Sequence, residues 1–377
     1  MAASSVPIST VSSSSPTLAA VRHSHVRVPE LDGVRAIAIW MVLLLHGFFA
    51  PQPPSMPKLM QLVMGHGWLG VDLFFVLSGF LITGILLDAK GKKHYFRTFY
   101  TRRFLRIMPV YFAVVLVWSC LYRGHASYFL LSSGFMANLA PLFHVRVPHG
   151  PGVLWSLAIE EQFYLFWPIL VLVLRKRQLA FVASSLVLIE PILRGIYAAR
   201  GMNPLVIYEL SWFRCDGLAV GALIAMWVRS SYFSAKVSRR IACTLIIALA
   251  LLTIFGSRFG LLGTMTVTGV AFRYTQAYLF FAAGFVLVIA HPGSPWTAPL
   301  RWRFMQLSGA LSYCLYLVHL SLGDAYQGLI GRYHENTMFA ALVHTIVMIA
   351  ASFAVALVSK RFLEDPCLRL KDRLSPV

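Results

Sequence analysis

The sequence predicts an all-α integral membrane protein, a bundle of about ten transmembrane helices with both termini on the cytoplasmic side. Three observations predict it. Of 377 residues, 58% are hydrophobic and 12% charged, with a mean hydropathy of +0.71, whereas soluble domains carry about 25% charged residues. Ten runs approach the ~20 mostly apolar residues that a helix needs to cross a bilayer. Basic residues crowd into alternate connections between those runs.

In chain order the runs are 32–50, 67–87, 106–122, 154–174, 179–198, 212–228, 241–259, 275–291, 306–324 and 338–358. The seventh and eighth are the least sharply bounded, because Gly and Thr fill the stretch between them. Residues 1–28 are rich in Ser, Thr, Ala, Val and Pro and lack the apolar core of a secretory signal, so a disordered cytoplasmic tail is expected there. The transmembrane domain is expected over 29–359 and a cytoplasmic C-terminal segment over 360–377. No internal repeat is evident.

Orientation follows from the positive-inside bias. Connections on the N-terminal side hold 21 Lys and Arg: seven in 88–106, three in 175–177, four in 229–240, two in 301–303 and five after 359. The other side holds about nine. The expected location is therefore multi-pass in the inner (cytoplasmic) membrane. The net charge of +19, with its basic residues clustered between the apolar runs, points to anionic lipid headgroups and anionic substrate groups rather than nucleic acid. The five cysteines show no metal or redox spacing and are read as apolar packing residues.

Ionisable groups inside spans are costly, so they mark function or a water-filled cavity. Arg35 and His46 lie eleven residues apart, about 16 Å of helix rise, on one face of the first span. Arg35 falls near the cytoplasm, where it could also simply snorkel, and His46 toward the outer leaflet. Asp72, in "GWLGVDLFFVLSGF", should reach the depth of His46 and could orient its imidazole, or merely cap a helix start. Arg103 and Arg106, in "FYTRRFLR", share a helical face at i, i+3 and could grip a phosphate, or serve only as positive-inside charge.

Glu160 and Glu161 open the fourth span in its outer third, Arg214 and Asp216 the sixth, and His319 reaches the outer third of the ninth. Glu190 and Arg194, one turn apart, are spaced to pair with each other. His46, Asp72, Glu160, Glu161, Arg214, Asp216 and His319 are thus expected at one depth, from five spans. A basic mouth on the cytoplasmic face and a His/carboxylate cluster near the outer face suit one chemistry. A cytosolic acyl-coenzyme A has a polyanionic end and a long thin arm. A histidine can then activate an acceptor hydroxyl arriving from outside.

The stretches "PELDGVRAIAIWMVLLLH", "GWLGVDLFFVLSGFLIT", "FYTRRFLRIMPVYF", "LWSLAIEEQFYLFWP", "FRCDGLAVGALIA", "LSYCLYLVH" and "FLEDP" resemble, in order, the signatures of the acyltransferase-3 family. The resemblance runs from about residue 29 to 366. It implies about ten transmembrane helices, acyl-CoA (most often acetyl-CoA) as donor and no permanently bound cofactor or metal. The acceptor it implies is a hydroxyl on an exported glycan, lipid or small molecule, as in polysaccharide modification. It also implies an essential histidine at His46, with Arg35, the Arg103/Arg106 pair, Glu160, Glu364 and Pro366 on family motifs. Some members carry a fused SGNH hydrolase-like domain; a stand-alone form is expected here.

The expected catalytic set is therefore His46, Asp72 and Glu160, with Arg35, Arg103 and Arg106 on the donor. Glu161, Arg214, Asp216 and His319 are expected near the acceptor. Either His46 deprotonates the acceptor, or it carries the acyl group briefly itself. A transporter or flippase using the same groups as a proton relay is the competing class, against which stands the lack of an inverted repeat or broken spans. A lipid rather than CoA as acyl donor is a third reading.

Overall fold

The computed structural model describes residues 28–49, 56–259, 261, 263, 265–330 and 337–374. Residues 1–27 of the expected N-terminal tail lie outside these. Each of the ten apolar runs falls on a helix: α1 Pro29–Phe49, α2 Leu69–Ala89, α3 Tyr95–Leu121, α4 Leu154–Val173, α5 Lys176–Ala199, α6 Cys215–Val228, α7 Ala235–Arg258, α8 Val267–Ala290, α9 Arg303–Ile330 and α10 Met338–Ser359. Among the described residues eight helices are long and apolar enough to cross a membrane. Of the remaining two runs, α6 is a shorter apolar helix and α9 a 28-residue helix of more mixed composition. The C-terminal segment continues as a π-helical turn, Lys360–Glu364, and a helix, Asp365–Leu374.

Several helices outrun their apolar runs. Helix α3 begins at Tyr95 rather than near 106, and α7 at Ala235 rather than near 241. Polar and basic residues propagate a helix as readily as apolar ones, so hydropathy alone places these starts too late. The consequence for α3 matters: Arg103 lies about 12 Å along the helix from its start, not at its mouth.

Helix α2 is the hub. It packs on α1, α4, α6 and α8, and 72% of its apolar window is buried, against 17% for the peripheral α7. Helix α1 in turn packs on α9 and α10. Without a hydrophobic drive between helices in lipid, close backbone approach has to hold such contacts. Gly79 of α2 and Gly221 of α6 provide it reciprocally. A Cβ on Gly79 would sit 1.9 Å from the Leu218 carbonyl oxygen, and one on Gly221 2.0 Å from the Val76 carbonyl oxygen. Gly84 instead faces the guanidinium of Arg229, which forks onto Asp88 through Nε and Nη2, both at 3.0 Å. Tyrosines join α3 to α4: Tyr95 and Tyr100 donate to the Pro168 and Leu165 carbonyls at 3.0 and 2.9 Å. Of the cysteines, only Cys314 is buried; Cys120 and Cys243 face outward, so packing does not account for all five.

Gly79→Ala should lower the melting temperature of the detergent-solubilised protein, since overpacking costs about 1–3 kcal/mol. Gly84→Ala, whose neighbour is the movable end of Arg229, should cost less. Equal losses would contradict the backbone crossing assigned to Gly79.

Candidate active site

The residues singled out in the sequence separate into three groups. The first lines a cavity of about 110 Å³ between α1, α2, α3, α4 and α9. Arg35, Arg103 and Arg106 face it together with Glu160 and Glu161, so the i, i+3 spacing of the two α3 arginines does bring them to one place. Glu160 accepts from the Ser78 hydroxyl at 3.0 Å and from the Tyr164 hydroxyl at 2.9 Å. The Arg103 guanidinium lies 4.0 Å above the Tyr164 ring, and its Nε is buried with no hydrogen-bond partner among the described residues. Arg35 reaches Asp32 at 3.4 Å.

Glu160 and Glu161 are therefore not at the depth of His46. They share a cavity with the arginines that were expected at the opposite face. The reason is the extended α3, which carries Arg103 well into the bundle, where α4 brings its carboxylates alongside.

The second group is a pair of imidazoles. His46, in the last turn of α1, and His319 of α9 approach to 3.2 Å between His46 Nδ1 and His319 Nε2, with ring centroids 5.0 Å apart. His319 Nδ1 lies 2.8 Å from the Tyr316 carbonyl and 3.2 Å from that of Leu315. Carbonyls only accept, so this nitrogen carries a proton, and in a neutral ring Nε2 is then an acceptor. His46 Nδ1 lies 3.0 Å from the Val42 carbonyl. It too must be protonated, sharing its hydrogen between Val42 and His319. The network assigns the bare lone pair to His46 Nε2. His319 is fully buried.

Two tyrosines missed in the sequence connect the groups. Tyr313 and Tyr316 line the cavity, and Tyr316 exchanges a 2.7 Å hydrogen bond with Ser156. Together with His319 they recur every third residue along α9, a spacing legible in "SYCLYLVH" but indistinguishable there from a packing face.

The third group is a set of buried ion pairs around the start of α6. Asp72 accepts a hydrogen bond from Arg214, and both are fully buried. The Arg214 guanidinium stands among five aromatic rings, with Tyr274 at 4.3 Å and Tyr208 at 4.5 Å. Arg194 bonds Asp216 at 3.0 Å, the Phe213 carbonyl and Thr275 at 2.5 Å each, and the Ala271 carbonyl at 3.0 Å. Glu190 accepts from the Asp216 backbone N–H at 2.9 Å rather than pairing with Arg194. Thus Asp72 is not the carboxylate beside His46, and neither is Glu160. Arg214 and Asp216 each pair with a buried partner, while Arg214 Nε and Nη1 are buried with no hydrogen-bond partner among the described residues. Equal depth on neighbouring helices does not fix direction: Asp72 turns to Arg214 at the start of α6.

A family model described as an acyltransferase domain matches residues 28–361. The chain belongs to this acyltransferase-3 family. The match spans every residue of the three groups above. The chain is similar to the peptidoglycan O-acetyltransferase OatA of Listeria monocytogenes serovar 1/2a, at 31% identity over 92% of this chain and 56% of that protein. It is similar to the putative peptidoglycan O-acetyltransferase YrhL of Bacillus subtilis strain 168, at 30% over 91% and 55%. The O-acetyltransferase OatA of Staphylococcus aureus strain NCTC 8325 is 26% identical over 90% and 57%. The chain thus spans little more than half the length of these curated relatives. No solved structure matches it.

Breaking the Asp72–Arg214 pair should be costly, because an uncompensated buried charge costs about 3–5 kcal/mol. Asp72→Ala should therefore unfold or strongly destabilise the solubilised protein. The double change Asp72→Leu with Arg214→Met should recover most of that loss. Size-exclusion profiles and thermal melts decide it, and a stable single variant would return Asp72 to the candidate catalytic groups.

Proposed function

We propose that this protein is a membrane O-acyltransferase that moves an acetyl group from acetyl-CoA to a hydroxyl of an exported glycan, with peptidoglycan the leading acceptor class. The observation that carries the reading is the orientation of His46: its Nδ1–H is held by Val42 and His319, which leaves Nε2 as a base. The names of the relatives, peptidoglycan O-acetyltransferases, support acetyl as the group moved and a glycan as the acceptor. The basic connections support cytoplasmic termini in an inner-membrane protein.

In this mechanism Arg35, Arg103 and Arg106 attract anionic phosphate of the donor. Glu160 accepts from Ser78 and Tyr164 and keeps both hydroxyls in place. His46 Nε2 takes the proton of the acceptor hydroxyl, and the oxygen forms a bond to the thioester carbonyl carbon. Collapse of the tetrahedral intermediate breaks the carbon–sulfur bond. The coenzyme A thiolate leaves and receives the proton from His46. The charge on His46 during this cycle is stabilised through Nδ1–H by His319 Nε2, a base–orienter arrangement without a carboxylate.

His46→Ala should cut transfer of labelled acetyl from acetyl-CoA to purified peptidoglycan by about 10²–10⁴-fold, the span of general acid–base catalysis, with an unchanged melting temperature. Arg103→Ala should raise KM for acetyl-CoA more than it lowers kcat. Undiminished transfer by His46→Ala would sink the assignment, and acceptor movement without thioester loss would favour a transporter instead.

A further inference from the structure

The helix that carries His46 ends in a turn that its own sequence cannot complete. The last four carbonyls of an α-helix lack intrahelical donors. For Gly47 the residue four positions on is Pro51, which has no N–H to give. The Gly47 carbonyl, adjacent to the proposed base, therefore cannot take the usual i+4 donor.

Its donor is His344 of α10. Its Nδ1 lies 3.0 Å from the Gly47 carbonyl oxygen, and since a carbonyl only accepts, Nδ1 bears the proton. His344 is 2% exposed, so water does not compete for the bond. Its other nitrogen, Nε2, is buried with no hydrogen-bond partner among the described residues, and its ring lies beside that of Tyr326, with centroids 5.4 Å apart. The next residue reinforces the contact. Thr345 turns its hydroxyl back to the Ala341 carbonyl at 2.7 Å. A Cβ on Gly47 would lie 2.6 Å from the Thr345 methyl carbon. Gly47 thus lets α10 come close enough for His344 to reach the carbonyl.

We propose that His344 is a positioning residue for the transfer reaction: by donating Nδ1–H to the Gly47 carbonyl it fixes the last turn of α1 and holds His46 against His319. This rests on the reading of His46 as the base. A neutral hydrogen bond in a buried site is a strong constraint, because the unmade alternative leaves a desolvated carbonyl. A base displaced by even ~1 Å loses about 10²-fold in rate.

Three variants of the full chain separate the two ring nitrogens. Asn places an amide N–H where Nδ1 stood and removes Nε2. Gln places its amide near the position of Nε2, and Leu removes both. In purified protein, with acetyl-CoA as donor and solubilised peptidoglycan as acceptor probe, His344→Leu and His344→Gln should lose at least about tenfold in kcat. KM for acetyl-CoA should stay the same. His344→Asn should restore most of the kcat. A second readout needs no acceptor: the rate at which diethyl pyrocarbonate modifies His46, followed by mass spectrometry, should change in the Leu and Gln variants and not in Asn.

Rescue by Gln but not Asn, equal loss in all three, or an unchanged His46 modification rate throughout would overturn the proposal. Should His344→Leu fail to fold, the Asn and Gln pair still decides. If His46→Ala keeps its activity, the base assignment fails by itself, while the modification rates continue to report whether His344 positions that ring.

Discussion

The guanidinium of Arg214 lies where no water can reach it, in a box of aromatic rings, and its compensating charge is Asp72 from another helix. A charge so placed is tolerable only while its partner stays within hydrogen-bond reach, which ties α6 to α2 at a set rotation and depth. The neighbouring Arg194–Asp216–Thr275 cluster does the same for α5, α6 and α8. The reciprocal glycines Gly79 and Gly221 let the backbones approach closely enough for these contacts. Once α2 is locked on one side, its other contacts are with α1 and α4, and the arginine-lined cavity is built there.

Helix α9 carries the link between them. Tyr313 and Tyr316 look into the arginine-lined cavity, and one turn further His319 meets His46. Helix α1 repeats the arrangement from the other side, with Arg35 on the cavity and His46 near its end. Two parallel helices therefore present anion-binding groups at one end and imidazoles at the other end of one shared interface, which Trp40 pins by donating to Ser308 at 3.1 Å. This arrangement suits a donor that binds at one point and reacts at another.

Much of the fold was legible because a bilayer imposes a simple rule: a spanning segment must be helical and mostly apolar. All ten runs became helices. The helix starts were misplaced where charged residues continue the helix, as at Tyr95 and Ala235, since hydropathy reports burial in lipid and not helix propagation. The candidate site was half legible. Arg35, Arg103 and Arg106 could be grouped from spacing, and His46 and His319 from depth. The partners of Asp72, Arg214 and Asp216 could not, and Tyr313, Tyr316 and His344 passed as ordinary helix residues.

The sequence by itself determined that the chain is helical and membrane-embedded, which family it resembles, and which residues are too polar to lie in lipid without a reason. It did so because cost in hydrocarbon depends on residue type and local period alone. Only the tertiary structure decided what those reasons are. A helix position sets the height of a side chain, but its neighbour depends on how each helix is rotated about its axis. That rotation is fixed by contacts between residues as distant as Asp72 and Arg214, or His344 and Gly47. It turned Asp72 and Arg214 into a brace and moved Glu160 beside the arginines. It left His46 with an imidazole, not a carboxylate, as its partner.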